Sequence, residues 1–392
     1  MLQKTFMKLR CIARSTQFRS LTKLSVNLEE KSNKMQAWQI HSYNGLEDLR
    51  LSNVTMPVIM QPTDVLVKVE AASVNLIDVA MTNGYGISVL NLMRKAKNLT
   101  NGTYNGLDLP LTLGRDFVGV IVSKGHNVGD RLELGEEVWG VVPVEQQGCH
   151  ANYVLVNSNL VNPRPRNLSH TEAASILFAG LTAWSALWIT GGLSYKTAIF
   201  TRLNRCVLVI GGSGGVGTLA IQLLKAWNIH VVSTCNSDAV DMLQSLGADI
   251  VIDYKQDNAD TQIISEGPYD IILDCANQGP EHIRMKGYPH STYIGLNSPL
   301  LKNTDQHGLI VGMAKNMQDF LKFNIPKGEN KSCVKWGFFI PCQTGINFLQ
   351  RLVENEQIVP VVQQVYPFQD LPLAYKKMRQ GHLRGKLVID IR

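Results

Sequence analysis

The chain has 392 residues, 45% of them hydrophobic, and a formal charge of +6 at pH 7. That length can bury a sizeable core and suggests two domains. Six lysines and arginines fall within residues 1–28, with no acid before Glu29, so the rest of the chain is nearly neutral and a basic nucleic-acid-binding body is excluded.

Residues 1–34 open with "MLQKTFMKLRCIARSTQFRSLTKLSVNL", which is basic, rich in Ser and Thr, and carries Leu, Phe and Met at helical intervals. These features predict a mitochondrial transit peptide, and with it a matrix protein. The competing reading is a basic tail that binds acidic surfaces. Seven cysteines form no C-x-x-C pair and no metal spacing, which fits a reducing compartment.

From Met35, "MQAWQIHSYN" and "DVLVKVEAASVN" alternate as strands, and glycines punctuate "GVIVSKGHNVGDRLELGEEVWGVV". The pattern predicts a β-rich first domain over residues 35–185. Within it, Ile87 to Asp108 is longer than a usual connection and reads as a lid or gating loop, or as a surface insertion. The apolar stretch "SILFAGLTAWSALWI" is too short and interrupted for a transmembrane span and reads as a core helix.

Residues 186–362 switch period. "CVLVIGG", "VGTLAIQLLKAW", "HVVST", "AVDMLQSLGA", "DIVIDY" and "YDIILDCA" alternate strand and helix, the α/β signature of a doubly wound parallel sheet. The first strand runs into "GGSGGVG", where Gly212, Gly214 and Gly217 satisfy G-x-G-x-x-G. A strand ending in such a turn aims helix N–H groups at one point, where the helix dipole also favours an anion. The reading is a dinucleotide diphosphate, with Gly212 making the tight turn, Gly214 admitting the diphosphate and Gly217 packing helix on strand.

At the end of the second strand, an NAD site usually places an acid on the ribose 2′-OH. Cys235, Asn236 and Ser237 stand there instead, and Tyr254 in "VIDYK" is placed to close over a 2′-phosphate. NADPH is favoured over NADH. Two features oppose this: Asp238 is one residue away, and the local sequence supplies no lysine or arginine to pair a phosphate.

Taken together, "AASVNLIDVAMTNGYG", "LPLTLGRDFVGVIVSKG", "GEEVWGVVP", "AASILFAGLTAWSAL", "GGSGGVG", "LGADIVIDY" and "GHLRGKLVIDI" resemble the zinc-free quinone oxidoreductase branch of the medium-chain dehydrogenase/reductase superfamily. The resemblance runs from about Met35 to Arg392. It implies a GroES-like catalytic domain completed by about residues 363–392, a Rossmann domain, and a cleft between them. Zinc members of the superfamily carry an early Cys, a G-H-E motif and a run of structural cysteines. Here Ser73, Val74 and Asn75 occupy the first region and "GRD", Gly114 to Asp116, replaces the second, so the resemblance implies no zinc. Arg115 and Asp116 are expected to form a buried pair in that region.

Without a Lewis acid, a simple ketone is a poor hydride acceptor, whereas a quinone or enone delocalises the incoming charge itself. The resemblance places Asn75 and Thr182 at the nicotinamide end and Tyr85 at the cleft mouth, as candidate proton donor or as packing. It places the backbone of Ser213, Gly215 and Val216 at the diphosphate. Asn277, Leu296, Phe338, Phe339, His382 and Arg384 are implied as further cofactor contacts. It also implies reticulon or ubiquinone-pathway protein partners. Two other functions stay open: an enoyl thioester reductase, with Arg94, Lys95 and Lys97 as its basic entrance, and an NADPH-bound scaffold that does not turn over.

Overall fold

In the computed structural model the described residues are 33–100, 108–193, 205–325 and 332–392. The transit-peptide expectation, residues 1–34, lies outside them except for residues 33 and 34, where the first strand begins.

The first domain is built on β1 (Lys34–Ile40), β2 (Leu49–Thr55), β3 (Asp64–Val74), β4 (Leu111–Thr112), β5 (Asp116–Lys124), β6 (Glu137–Val141), β7 (Tyr153–Asn157) and β8 (Val161–Pro163). Helices α1 (Leu76–Thr82) and α2 (Ile87–Thr100) follow β3. The segment expected to be a loop is therefore helical up to Thr100, and residues 101–107 lie outside the described part. Its spacing accounts for this: Ile87 and Leu90 are one helical interval apart, and Leu90 is buried in the core of the first domain.

Helix α3 (Leu177–Trp184) continues without a break as a wider helical turn to Thr190. The boundary expected between residues 185 and 186 thus falls inside one helical run. His170–Thr190 is long and apolar enough to cross a membrane, but 83% of its apolar window is buried inside the protein. It is the central core helix read from the sequence.

The second domain alternates as expected. β9 (Cys206–Ile210) leads through the glycine turn into α4 (Gly215–Ala226), then β10 (His230–Cys235), β11 (Ile250–Asp253), β12 (Tyr269–Asp274) and β13 (His290–Gly295). Helices α5 (Pro299–His307) and α6 (Leu309–Asn324) form a hairpin before β14 (Cys333–Trp336). The six strands are parallel in the order β11-β10-β9-β12-β13-β14. Strand order reverses between β9 and β12, and doubly wound sheets bind ligands at that switch point, beyond the carboxyl ends of the strands.

β15 (Val362–Pro367) and β16 (Lys386–Asp390) then return to the first domain. They extend its large sheet, ordered β15-β16-β3-β5-β6-β8 with β7 also on β3, and β16 pairs antiparallel with β3 through Leu387–Val74 and Val388–Ser73. The turn before β16 meets the glycine loop, where the Gly385 N–H donates to the Ser213 carbonyl at 2.8 Å. The last strand thus binds both domains at the cleft.

Candidate active site

The glycine loop divides its tasks by geometry. Gly211, with φ +77°, turns the chain, so the tight turn expected at Gly212 belongs to its neighbour. Gly212 is bare because a Cβ there would lie 2.0 Å from Ser233 Oγ, and Gly217 because one would lie 2.5 Å from the Gly211 carbonyl. Gly214 differs. A Cβ on it would find only the Gly211 oxygen, 3.8 Å away, so its bareness serves no internal contact. No side chain caps α4 at Gly214, which leaves the helix N-terminus to an external anion. A diphosphate fits this cradle. Ser213 is buried here and Val216 packs against the core.

At the far end of β10, Cys235 is buried, Ser237 Oγ donates to Asp253 Oδ2 at 2.6 Å, and Tyr254 is 47% exposed beside them. The sequence reading passed over Lys255, next to Tyr254, whose charge acts on Asp238 and Asp253, and a second basic residue arrives from the other end of the chain. Arg384 donates to both oxygens of Asp238, at 2.7 and 3.1 Å, and its Nη1 is 3.5 Å from Ser213 Oγ. Hydrogen bonding from Arg384 holds the Asp238 carboxyl below its ordinary range. Asp238 therefore stands paired rather than as a bare acid, and Asn236, Ser237, Tyr254 and Arg384 surround one corner.

Asn277 is exposed with φ +58°, in a turn fixed by Asp274, which accepts from Ala276 N and Gly279 N. Leu296 lies under Gly337, where a Cβ would be 3.1 Å from it. Phe339 stacks on Phe178 with ring centroids 4.2 Å apart, whereas Phe338 is 44% exposed and its carbonyl accepts from Ser185 Oγ. His382 is exposed, with φ +53°.

The cleft floor holds a buried polar chain. Asn75 precedes α1, and Asp78 reaches back to its backbone N–H at 2.9 Å, fixing the helix start. The Asn75 amide nitrogen donates to Asp116 Oδ1 at 2.9 Å, and its side-chain oxygen accepts from Lys386 Nζ at 2.5 Å. Asp116 also accepts from Ser73 Oγ at 2.5 Å and from the Phe178 N–H at 3.1 Å. Burial pushes the Lys386 ammonium down, and the Asp116 and Asp78 carboxylates pull it back up. Thr182 spends its hydroxyl proton on the Phe178 carbonyl at 2.7 Å, so toward a ligand it acts as acceptor.

The expected Arg115–Asp116 pair does not form. Arg115 pairs with Asp78, Nε to Oδ1 3.5 Å, both fully buried, and donates to the carbonyls of Pro143 and Gln146. Asp116 instead accepts from the neutral donors Ser73, Asn75 and the Phe178 N–H.

This donor set does not suit zinc. Ser73, Asn75 and Asp116 are bonded to one another, and the neighbouring His150 ring holds the Tyr375 hydroxyl at 2.9 Å and the Ser73 carbonyl at 3.1 Å. The nearby Cys149 thiol is pushed well up by burial and donates to the Asp116 carbonyl at 3.3 Å. Neither a thiolate nor a free imidazole is offered. Among the described residues, Glu70, Glu137 and His170 bring three ligand atoms within 4.8 Å. Arg164 already donates to Glu137 at 2.5 Å, and its charge opposes a cation there.

Tyr85 is half-buried at the end of α1. Burial, then the Asp305 carboxylate, pushes its phenol up, so it keeps its proton at neutral pH. Asp305, on α5, accepts from the N–H groups of Gly86 and Ser88 at 2.7 and 3.0 Å and so caps α2 from the other domain. Sequence reasoning missed Asp305, Lys386 and the positioning role of Asp116. Lys386 and Asp116 left a trace in the quoted "GHLRGKLVIDI" and "LPLTLGRDFVGVIVSKG" segments, and Asp305 left none.

Residues 61–166 match the alcohol dehydrogenase GroES-like domain and residues 246–389 the zinc-binding dehydrogenase domain. Over 370 residues the chain is 45% identical to the mitochondrial NAD(P)H oxidoreductase RTN4IP1 of Drosophila melanogaster, covering 93% of this chain and 88% of that one. The chain belongs to this family of mitochondrial NAD(P)H oxidoreductases. A Caenorhabditis elegans member, named mitochondrial reticulon-4-interacting protein 1, is 36% identical over 364 residues, 92% of this chain and 96% of its own. The solved quinone oxidoreductase of Coxiella burnetii superposes with a TM-score of 0.69 at 25% identity, covering 92% of this chain and all of that one. The medium-chain dehydrogenase/reductase resemblance and the pairing of a GroES-like with a Rossmann-like domain are thereby established, as is an oxidoreductase activity.

Proposed function

We propose that this oxidoreductase uses NADPH in preference to NADH, works without catalytic zinc, and delivers hydride to a quinone or other conjugated carbonyl in the mitochondrial matrix. The observation that carries the reading is the closed Ser73–Asn75–Asp116 set, whose acceptor atoms are already filled by protein donors. With no Lewis acid to hold an alkoxide, the acceptor must spread the charge itself.

Bound at the switch point, the nicotinamide supplies hydride; this chain supplies everything else. Gly212 to Gly217, with the backbone of Ser213, Gly215 and Val216, hold the diphosphate. Asn236, Ser237, Tyr254 and Arg384 take the 2′-phosphate, Arg384 by moving its guanidinium from Asp238 to the stronger anion. Asn277 and His382 line the entrance. Asn75, held between Asp116 and Lys386, donates to and orients the carboxamide, and Thr182 accepts from it. Leu296, Phe338 and Phe339 wall the ring against water. The hydride that the cofactor would supply counts as two electrons and one proton. The Tyr85 hydroxyl then gives a second proton to the oxygen that gains charge and is reprotonated from solvent.

A reticulon-type partner belongs to the same proposal, drawn from the name of the Caenorhabditis elegans relative; a ubiquinone-pathway partner rests on the family resemblance alone. The test is to give purified protein NADPH with a quinone panel and with an enoyl thioester, and to follow cofactor oxidation. Oxidation by quinones is expected. Turnover with the thioester alone, or binding with neither, would replace this reading with the reductase or the scaffold.

A further inference from the structure

Helix α6 turns its apolar stripe outward. Ile310, Met313, Ala314, Met317 and Leu321 recur at i, i+3, i+4, i+7 and i+11, which is one face of a helix. Ile310 is 84% exposed, Met313 61%, Met317 60% and Leu321 47%. The opposite face makes the protein contacts. A Cβ on Gly312 would touch Thr304, Asn303 donates to Asn316 at 2.8 Å and to Asp319 at 3.0 Å, and Phe323 meets Trp336 edge-on. Scattered exposed apolar residues are ordinary, but a continuous stripe backed by Leu309 and Phe320 calls for a partner.

We propose that this face lies on an anionic lipid bilayer and sets the cleft mouth at the membrane surface, so that a lipid-soluble quinone enters directly; the second clause rests on the quinone reading above. Charge identifies the partner. Helices α2, α5 and α6 carry Arg94, Lys95, Lys97, Lys302, Lys315 and Lys322, against Asp108 and Glu281 of neighbouring segments, which pair with Lys95 at 3.6 Å and with Lys322 at 2.8 Å, and two carboxylates on the helices themselves, Asp305 and Asp319. Both carboxylates are engaged inward, on the start of α2 and on Asn303. Lys315 and Lys322 are seven residues apart and flank the stripe on one side, the pattern of a helix lying at a lipid interface. A second copy docked through the same face would bring this cationic surplus against itself.

Length fits as well. Sixteen residues are too few to span a hydrocarbon core but enough to lie along it. The hairpin is also tied to the reaction site, because Asp305 on α5 holds Gly86 and Ser88 beside Tyr85. A membrane seated on α6 is thus joined to the candidate proton donor by one packed unit.

The test is vesicle flotation of the full chain, with phosphatidylcholine alone and mixed with phosphatidylglycerol. It compares the wild type with the double variant Ile310→Glu, Met317→Glu. Both positions are solvent-exposed and outside the site, so melting temperature and turnover of a water-soluble quinone should not change. The wild type is expected to float with the mixed vesicles, and the variant to bind them about a hundredfold more weakly, since each lost apolar anchor costs about tenfold. Equal flotation of the variant would overturn the proposal by assigning membrane binding elsewhere. An unbound wild type overturns it too, and one whose dimer these substitutions dissociate would assign the face to a second copy. A wild type that floats but reduces no quinone would sink the quinone reading and leave the membrane face standing.

Discussion

Lys386 donates to the Asn75 side-chain oxygen across 2.5 Å, joining residues 311 positions apart. The stem of the same lysine fills the space beside Gly215, where a Cβ would come within 2.7 Å of Cδ. One side chain thus touches both the glycine loop and Asn75, the residue proposed to orient the nicotinamide. Lys386→Met should lower turnover about tenfold or more by freeing Asn75, because misplacement of a positioning group is felt in the transition state. It should weaken NADPH binding less.

The same substitution carries a pH signature. Burial lowers the Lys386 pKa in the folded protein. Between that lowered value and the ordinary lysine value, about 10.4, the unfolded chain binds more protons than the native one. Stability from this group therefore rises with pH through that window and is least favourable below it. The difference in unfolding free energy between wild type and Lys386→Met, measured by denaturant, should move in favour of the wild type on going alkaline. The opposite slope would refute a depressed pKa.

In the proposed reading Arg384 sets the cofactor preference. Arg384→Ala should cost NADPH about tenfold in affinity, roughly 1.4 kcal/mol, while changing NADH little, since only NADPH offers the 2′-phosphate. Melting-temperature titration with each cofactor reads both affinities by mass action. An equal loss for the two would place the phosphate elsewhere.

Two glycines should separate binding from folding. A Cβ at Gly214 would meet only the Gly211 oxygen, 3.8 Å away, so Gly214→Val should fold normally and lose the melting shift from either cofactor. At Gly217 a Cβ would lie 2.5 Å from the Gly211 carbonyl, so Gly217→Val should lower the melting temperature with no ligand present. A normal cofactor response in Gly214→Val would remove the loop from the site.

Tyr85→Phe removes a hydroxyl that stays protonated at neutral pH. Losing one donor in a dry site costs on the order of a hundredfold, and less where water substitutes. The defect should be small with quinones and larger with enones, with NADPH affinity unchanged. Wild-type rates on both acceptors would leave Tyr85 as packing.

What could be read from sequence was what is local. The glycine spacing, the strand and helix alternation and the apolar core helix each rest on neighbours within a few residues. The Arg384–Asp238 contact spans 146 positions and the Asp305–Gly86 contact 219. No spacing rule reaches that far, which is why Asp238 read as an unanswered acid. Arg115 and Asp116 were expected to pair in the region that the zinc motif occupies in other members, but Arg115 finds Asp78, on the helix after β3, which no local spacing indicates. The helix at Ile87 was legible in its apolar period but was outweighed by the length of the segment.

The most direct measurement is quinone-dependent oxidation of NADPH by protein dialysed against a chelator, with the quinol formed counted against the cofactor consumed. The account predicts one quinol per NADPH, a rate unchanged by chelation, and faster turnover with NADPH than with NADH. Activity that is lost on chelation and restored by zinc, or NADPH that binds without being oxidised, would contradict it.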